Sequence, residues 1–476
     1  MADLFASLQT AGQALNVFQQ ALNTVQNNIT NANTPGFASQ SVNFSAQQFD
    51  LVGGLAGGVA SQGLHSARDE YAEEEVRRQL STLGLYEGQA QGASSVASNF
   101  DPSGNSGVPA ALNHLFQSFS AWSLTPNDPS AQQQVLANAG NLASGIQSLA
   151  ASLSQTDQNI QTQIAGAVQQ INTLTAQIQQ LNIAQQQTQQ PDPGLDAQMH
   201  NALQQLSELV DFSQIKQPDG SVTVVLSNGT PLVIGNKQYA LSATAVVPAG
   251  SVNTKAPPTS EILDSNGNNI TAQISGGKLA GLLNTHNTVL ASILGDGQQA
   301  GSLNLFAKTF ADTVNNILTS GTESVAAGSA NGAALFSYDN SDATLAATTI
   351  KLNPNITTAT LAPVDSSGNS NGNALKLASL ATSTTSGGIN GQTFSQFFAG
   401  IAQSVGNASA TATSNRQTQQ QIVTQTENLR DQISAVSLDA QALQLQQFQK
   451  SYEAVAKMIN VLSSLTETTI NMVPQA

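Results

Sequence analysis

The stretch LFASLQTAGQALNVFQQALNTVQNNI, residues 4–29, decides how this chain is read. Its apolar side chains fall at Leu4, Leu8, Ala11, Leu15, Phe18, Leu22, Val25 and Ile29, in alternating steps of four and three. A helix with that rhythm carries a narrow apolar seam rather than a broad globular face, so the pattern predicts a coiled-coil-like partner. The segment Asn31-Ala32-Asn33-Thr34-Pro35-Gly36 ends it, because the residue before a proline avoids helical dihedrals and Pro-Gly favours a turn.

The far end of the chain mirrors this pattern. One seam runs through Ile422, Leu429, Ile433, Val436 and Leu443; after a change of phase near Leu443 a second runs through Leu445, Phe448, Tyr452, Val455, Ile459 and Leu462. Such a change marks a place where supercoiling relaxes or a domain boundary falls. Between the ends, Leu153, Ile160, Ile164, Ile171, Leu174, Ile178 and Leu181 keep the rhythm on a Gln-rich background, predicting a long helix over 130–190. The Pro191-Asp192-Pro193-Gly194 run stops it, and a shorter helix follows from Leu195 to Val210. Ser221 to Leu226 reads as a strand, Asn228-Gly229 as its hairpin turn and Pro231 to Ile234 as the return. Leu279 to Leu318 reads as helix, and Gly321 to Gly391 as a Ser/Thr/Gly/Asn-rich region with short β-like pieces.

The expected fold is therefore mainly α with β-rich inserts, in nested domains. Residues 1–60 with 437–476 form a terminal helical assembly domain whose two helices pair. Residues 61–210 with 276–320 and 393–436 form a helical body. Residues 211–275 form a small β-rich domain, and 321–392 a Ser/Thr/Gly-rich β-like insert. An isolated terminal helix gains little from so narrow a seam. Both ends are thus expected to be mobile in the free subunit and to gain order when neighbours cover them.

Composition narrows the functional classes. Charged residues make up 9% of 476, against about 25% in ordinary globular chains, and the net charge is −15. Binding to nucleic acid or to an anionic membrane surface is disfavoured by that sign. With no cysteine, disulfides, thiolate metal sites and cysteine nucleophiles are excluded. No apolar run reaches the length of a membrane-spanning helix, and Met1-Ala2-Asp3-Leu4 starts no cleavable secretory signal, so export is expected by another route. His65, His114, His200 and His286 have no metal-ligand spacing. The Asp264 to Asn268 turn lacks the glycine and glutamate of a calcium loop. Gly53 to Gly58 reads as a hinge or linker, and Arg68 to Arg78 as a solvated, ion-paired helix face. Trp122 reads as a core anchor. No catalytic, cofactor-binding or metal-binding residues are expected, and the role is expected to be structural rather than enzymatic.

Asn27-Asn28-Ile29-Thr30-Asn31-Ala32-Asn33-Thr34-Pro35-Gly36-Phe37 resembles the Asn-Asn-Ile-Ala-Asn-Ala-Asn-Thr-Pro-Gly-Tyr signature of the rod, hook and hook-associated axial proteins of the bacterial flagellum, with Phe37 in place of tyrosine. Ser437-Leu438-Asp439, Phe448-Gln449 and Tyr452-Glu453-Ala454 resemble the family's C-terminal pattern, although Ala440 and Gln441 stand where two acidic residues are usual. Gly58-Val59, Arg68-Asp69, Arg77 to Leu80, Pro126 to Pro129 and Gly220 to Val233 are similar to the hook-associated branch, while Ala197-Gln198-Met199-His200 departs from its Asp-Gln-Arg-Asp. The resemblance implies a structural subunit that joins hook to filament by self-assembly into a tubular ring. The less favoured readings are a hook or distal-rod protein, or a secreted adhesin. It further implies an extracellular place on the flagellum and contacts with copies of itself, with hook protein and with a neighbouring hook-associated protein. Export without a cleavable signal would involve a cytosolic chaperone on the C-terminal helix. The residues so implicated are the turn Asn28, Asn31, Asn33, Pro35, Gly36 and Phe37; the seam Leu4, Leu8, Leu15, Phe18, Leu22, Val25 and Ile29; and, for C-terminal seam and chaperone contact, Leu445, Phe448, Tyr452, Val455, Ile459 and Leu462.

Overall fold

The computed structural model describes residues 2–50, 55–100, 106–188, 192–385 and 388–472. It is mainly helical with four small antiparallel sheets, as the periodicities predict. Helix α1 (Ala2–Thr30) leads into a hairpin of β1 (Gln40–Asp50) and β2 (Leu55–Ser66). The body follows: α2 (Glu70–Ala97), α3 (Gly107–Leu124), α4 (Pro129–Gln187) and α5 (Pro193–Leu209). Aspartates start three of these helices by accepting first-turn amides: Asp69 for α2, Asp128 for α4 and Asp192 for α5, with prolines at the first helical position of the last two. With 59 residues, α4 reaches roughly 90 Å at 1.5 Å per residue.

Strands β3 (Phe212–Lys216), β4 (Val222–Leu226), β5 (Pro231–Ile234) and β6 (Lys237–Gln238) form one sheet in that order, and β7 (Ser242–Val246) pairs with β8 (Thr259–Leu263). The helical run expected over 279–318 is broken. Helix α6 (Gly277–Asn284) passes through a π turn (Thr285–Leu290) into α7 (Ala291–Leu294), and a loop precedes α8 (Ser302–Thr319). Gly295 (φ 94°) and Gly301 (φ 80°) close that loop backbone to backbone, where a side chain on either would collide.

The 321–392 segment is less β-like than its composition suggests. It holds β9 (Phe336–Ser337), α9 (Ala346–Thr349), β10 (Lys351–Leu352) and α10 (Gly372–Ser379), and the strands are two residues each. Its apolar residues Leu335, Phe336, Ile350, Leu361 and Leu377 belong to the same buried cluster as Trp122, Ile146 and Phe310. It thus completes the body's core, because isolated apolar positions without period still bury when a helical surface covers them. Helix α11 (Phe394–Ser434) closes the body against α2, and α12 (Leu438–Asn471) returns to α1. The break between them, Ala435–Ser437, falls before Leu443, where the phase change had placed it.

Two devices hold the body together. Gly84, Gly88 and Gly92 on α2 admit α5, α6 and the π turn in close approach: a Cβ would lie 2.0 Å from the Glu208 carbonyl oxygen at Gly84, 2.5 Å from the Lys278 carbonyl oxygen at Gly88 and 2.4 Å from the Thr285 hydroxyl at Gly92. Asparagines clip strand and loop backbone to helices by donating to the carbonyl and accepting from the amide of one residue. Asn182 does this to Val222, Asn172 to Leu241, Asn287 to Ser260 and Asn315 to Phe336, at 2.8–2.9 Å. An amide side chain satisfies both groups that burial would otherwise orphan.

Candidate assembly site at the paired chain ends

Helix α1 packs antiparallel on α12, and the β1–β2 hairpin covers a second face of α1. The hairpin is the element sequence reasoning missed. Val42, Phe44 and Ala46 alternate as a strand should, but the glycine-rich β2 gave no matching signal. Gly57 and Gly58, read as hinge or linker, lie in β2; residues 51–54 are outside the described ones. Gly58 (φ 133°) faces α1 so closely that a Cβ would meet Thr10 Cγ2 at 2.5 Å. Phe18, Phe44 and Phe448 form an aromatic chain across α1, β1 and α12, with centroids 6.1 and 5.8 Å apart.

Covering α1 on two sides moves its deepest line off the expected seam. Of that seam, Val25 is buried, Leu4, Leu8, Leu15, Phe18 and Leu22 are half-buried, and Ile29 is exposed. The deepest positions are Ala11, Val17, Ala21, Thr24, Val25 and Asn28; Ala11 and Val25 lie on the expected run and the others beside it, where small side chains admit two neighbours. On α12 the residues Leu445, Phe448, Tyr452, Val455, Ile459 and Leu462 are all half-buried and line up toward α1. A second stripe on α12, which the sequence reading passed over, faces solvent: Ala454, Met458, Val461, Leu465 and Met472. It too steps by four and three or their sum, the spacing of another seam. On α11 the expected stripe Ile422, Leu429 and Ile433 is also exposed, while Val405, Ala412, Gln419 and Val423 pack inward.

Asn28, with no exposed surface, is the pivot of the module. Its Nδ2 donates to the Gln40 carbonyl (2.7 Å) and to Gln441 Oε1 (3.0 Å), and its Oδ1 accepts from the Gln40 amide (3.0 Å). This is the same asparagine clip used in the body, extended by one bond to α12. Gln441, flagged only as a departure from an acidic pattern, is the single buried residue of that helix. The rest of the signature builds the turn. The Asn31 side chain bonds back to the Asn27 carbonyl and side chain, Thr34 donates to the Asn31 carbonyl, and Phe37 donates to the Thr34 carbonyl. Asn33 and Pro35 are exposed and Phe37 is half-buried. Gly36 (φ 75°) rests against α5, where a Cβ would lie 2.4 Å from the Ala197 carbonyl oxygen.

Under this turn the 68–78 segment is a solvated, ion-paired face on one side only, where exposed Arg78 pairs with Glu75, and its other side is buried. The Arg68 side chain is 5% exposed and pairs with Glu73 and Asp196, and Arg77 and Glu73 are buried. Burial pushes the Arg77 guanidinium below its ordinary value, opposed by Glu73, Glu70 and Glu74. His200 is buried beside Asp196, but burial first, and then the cations Arg68, Arg77, Lys216 and Arg430, hold it well below 6.5, so it is neutral. Arg68 already claims Asp196, which leaves that carboxylate little to offer the imidazole. A cavity of about 360 Å³ lies beside the cluster, lined by residues including Leu64, Glu70, Met199, His200 and Lys216. Among the described residues no group of His, Asp or Glu could hold a metal ion, and no helix is long and apolar enough to cross a membrane. The site offers apolar seams and fixed hydrogen bonds; it presents surface for packing.

Residues 93–336 match the family described as flagellar hook-associated protein FlgK helical domain, and residues 8–37 match flagella basal body rod protein. The chain is 26% identical to flagellar hook-associated protein 1 of Bacillus subtilis over 99% of both chains. It is 25% identical to that of Escherichia coli, over 98% of this chain and 99% of the other. Among solved structures it resembles the flagellar hook junction protein FlgK from Burkholderia pseudomallei, with a TM-score of 0.59 and 17% identity, covering 75% of this chain and 99% of that one. That last likeness is one of fold.

Proposed function

The chain belongs to the flagellar hook-associated protein FlgK family, and from that premise we propose that it is a structural subunit of the bacterial flagellum that joins hook to filament. The observation that carries this reading is the second, uncovered seam on α12, Ala454-Met458-Val461-Leu465, on a helix whose other stripe already packs on α1. A helix that is apolar on two sides is suited to lie between neighbours, and copies of this chain arranged around a tube supply them. The weakly charged, polar surface fits such packing better than long-range steering. Contacts with hook protein on one side and a neighbouring hook-associated protein on the other follow from a place at the junction. Export is by the flagellar channel without a cleavable signal, and a cytosolic chaperone shields Leu445, Phe448, Tyr452, Val455, Ile459 and Leu462 until assembly. Nothing in the role requires chemistry, so the protein is a building block rather than an enzyme.

The test is complementation of a deletion strain, scored by electron microscopy and by filament protein shed into the medium. Without the gene, hooks form and filament subunits are lost to the medium. The full chain restores filaments, and a chain ending at Ser437 does not. Normal filaments on the deletion strain, or on the strain carrying the shortened chain, overturn the reading.

A further inference from the structure

We propose that Arg68 is the positioning residue of the joint between the terminal module and the body: its guanidinium clamps the signature turn and so fixes the direction in which the paired terminal helices leave the body. The geometry stands by itself; its consequence for ring assembly rests on the function proposed above.

The chain passes between module and body twice, at 67–69 after β2 and at 435–437 before α12. Two backbone bonds zip these crossings together, Ser39 donating to the Ser434 carbonyl and Ala67 to the Ser39 carbonyl, each at 2.8 Å. Two connections one strand wide form a swivel unless something else fixes the angle. Arg68 supplies that constraint. One terminal nitrogen donates to the Gly36 carbonyl (2.6 Å) and lies 2.8 Å from Asp196 Oδ2; the other donates to Glu73 Oε1 (2.6 Å); Nε donates to Asp196 Oδ2 (3.0 Å). The Arg430 guanidinium, near the C-terminal end of α11, lies 3.7 Å from the second Glu73 oxygen. One planar, 95%-buried group thus ties the signature turn to the first turn of α2 and to α5, with α11 joined through Glu73. The rigid fork serves these acceptors from three separate nitrogens; the three donors of a lysine ammonium radiate from one nitrogen on a flexible stem and cannot take the same three places. Gly36 lets the turn carbonyl come within reach, since any side chain there would strike α5. A joint set before assembly spares the ring the ordering of a swivel in every subunit.

The test is hydrogen exchange on the full-length free chain, comparing wild type with Arg68→Gln and Arg68→Lys. The reporters are the amides of Phe37, Ser39 and Ala67, and the references are amides in the middle of α3 and α4. Both variants should exchange at the three reporters about tenfold faster or more, the effect of losing at least one charged buried hydrogen bond, with the references unchanged. Reporters already unprotected in the wild type overturn the proposal. So does unchanged protection in Arg68→Gln, or full restoration by Arg68→Lys. If the references also lose protection in Arg68→Gln, the body itself has been damaged, and Asp196→Asn, which weakens one arm and keeps the others, is judged by the same outcomes. This readout involves no filament, so failure of the clamp and failure of the junction assignment are seen separately.

Discussion

The Asn28 clip is made within one chain. The end of α1 near it and the hairpin should therefore be protected in the free subunit, unlike the mobile ends that the narrow seam suggests. Replacing Asn28 with alanine should open the terminal module while leaving the body intact. The side chain is fully buried and satisfies three partners, the carbonyl and amide of Gln40 and the Gln441 side chain. Each partner left without a bond costs about 1–3 kcal/mol, and some relief from entering water leaves about 3–5 kcal/mol in total. At about 1.4 kcal/mol per factor of ten, amides of α1 near Thr24 and of the β1–β2 hairpin should exchange roughly a hundredfold to a few thousandfold faster. Amides of α3 and α4, in the core of the body, should not change. Asn28→Asp is the sharper version. The carboxylate still accepts from the Gln40 amide but confronts the Gln40 carbonyl; Gln441 can turn its amide around, and the backbone carbonyl cannot. At neutral pH this variant should be at least as open as the alanine variant. It should recover partly in acid, where the protonated carboxyl, its pKa raised by burial, donates as the amide did. Exchange within threefold of wild type in both variants would refute the view that this clip holds hairpin and α12 onto α1.

Further consequences concern the body, the aromatic chain and pH. Gly88→Ala should lower body stability by about 1–3 kcal/mol, since the new methyl meets the Lys278 backbone 2.5 Å away and neither helix can retreat; a denaturant midpoint measures it. Phe44→Ala removes both ring contacts and should weaken the module by about 1–2 kcal/mol, read as faster exchange in β2, although the residue is 41% exposed. The two buried histidines should respond to pH with opposite sign. His200, held well below 6.5 chiefly by burial, takes up a proton first in the unfolded chain, so stability falls as pH drops below about 6.5 and His200→Gln should be less acid-sensitive. For His286, burial lowers the value but Asp157, 3.2 Å away, and Asn287 raise it further, so the net shift is upward. Its stabilisation is full below 6.5 and lost as pH rises through the folded value, so His286→Gln should cost more near pH 6 than near pH 8; urea midpoints between about pH 5.5 and pH 8 check both.

Periodicity alone placed the elements whose pattern is local. The ends of α1, the length of α4, the Asn228-Gly229 hairpin and the inward stripe of α12 were legible because a 3–4 step, an Asp-Pro start or an Asn-Gly turn acts within a few residues of itself. What stayed hidden depends on residues far apart in the chain. The β1–β2 hairpin draws its support from α1 through Gly58 and Thr10, not from strand propensity. The true packing line of α1 shifts because a second neighbour covers it, and no pattern in a single helix reports how many neighbours it has. Gln441 departs from the acidic motif along the chain, and its reason, Asn28, lies 413 positions away. The charges at 68–78 read as a wet surface because charge density says nothing about which residues Asp196 and Arg430 will face. Sequence fixes where the chain can be helix, strand or turn, since those choices are settled by neighbours along the backbone. Burial and pairing are settled by neighbours in space, and only the folded chain brings those together.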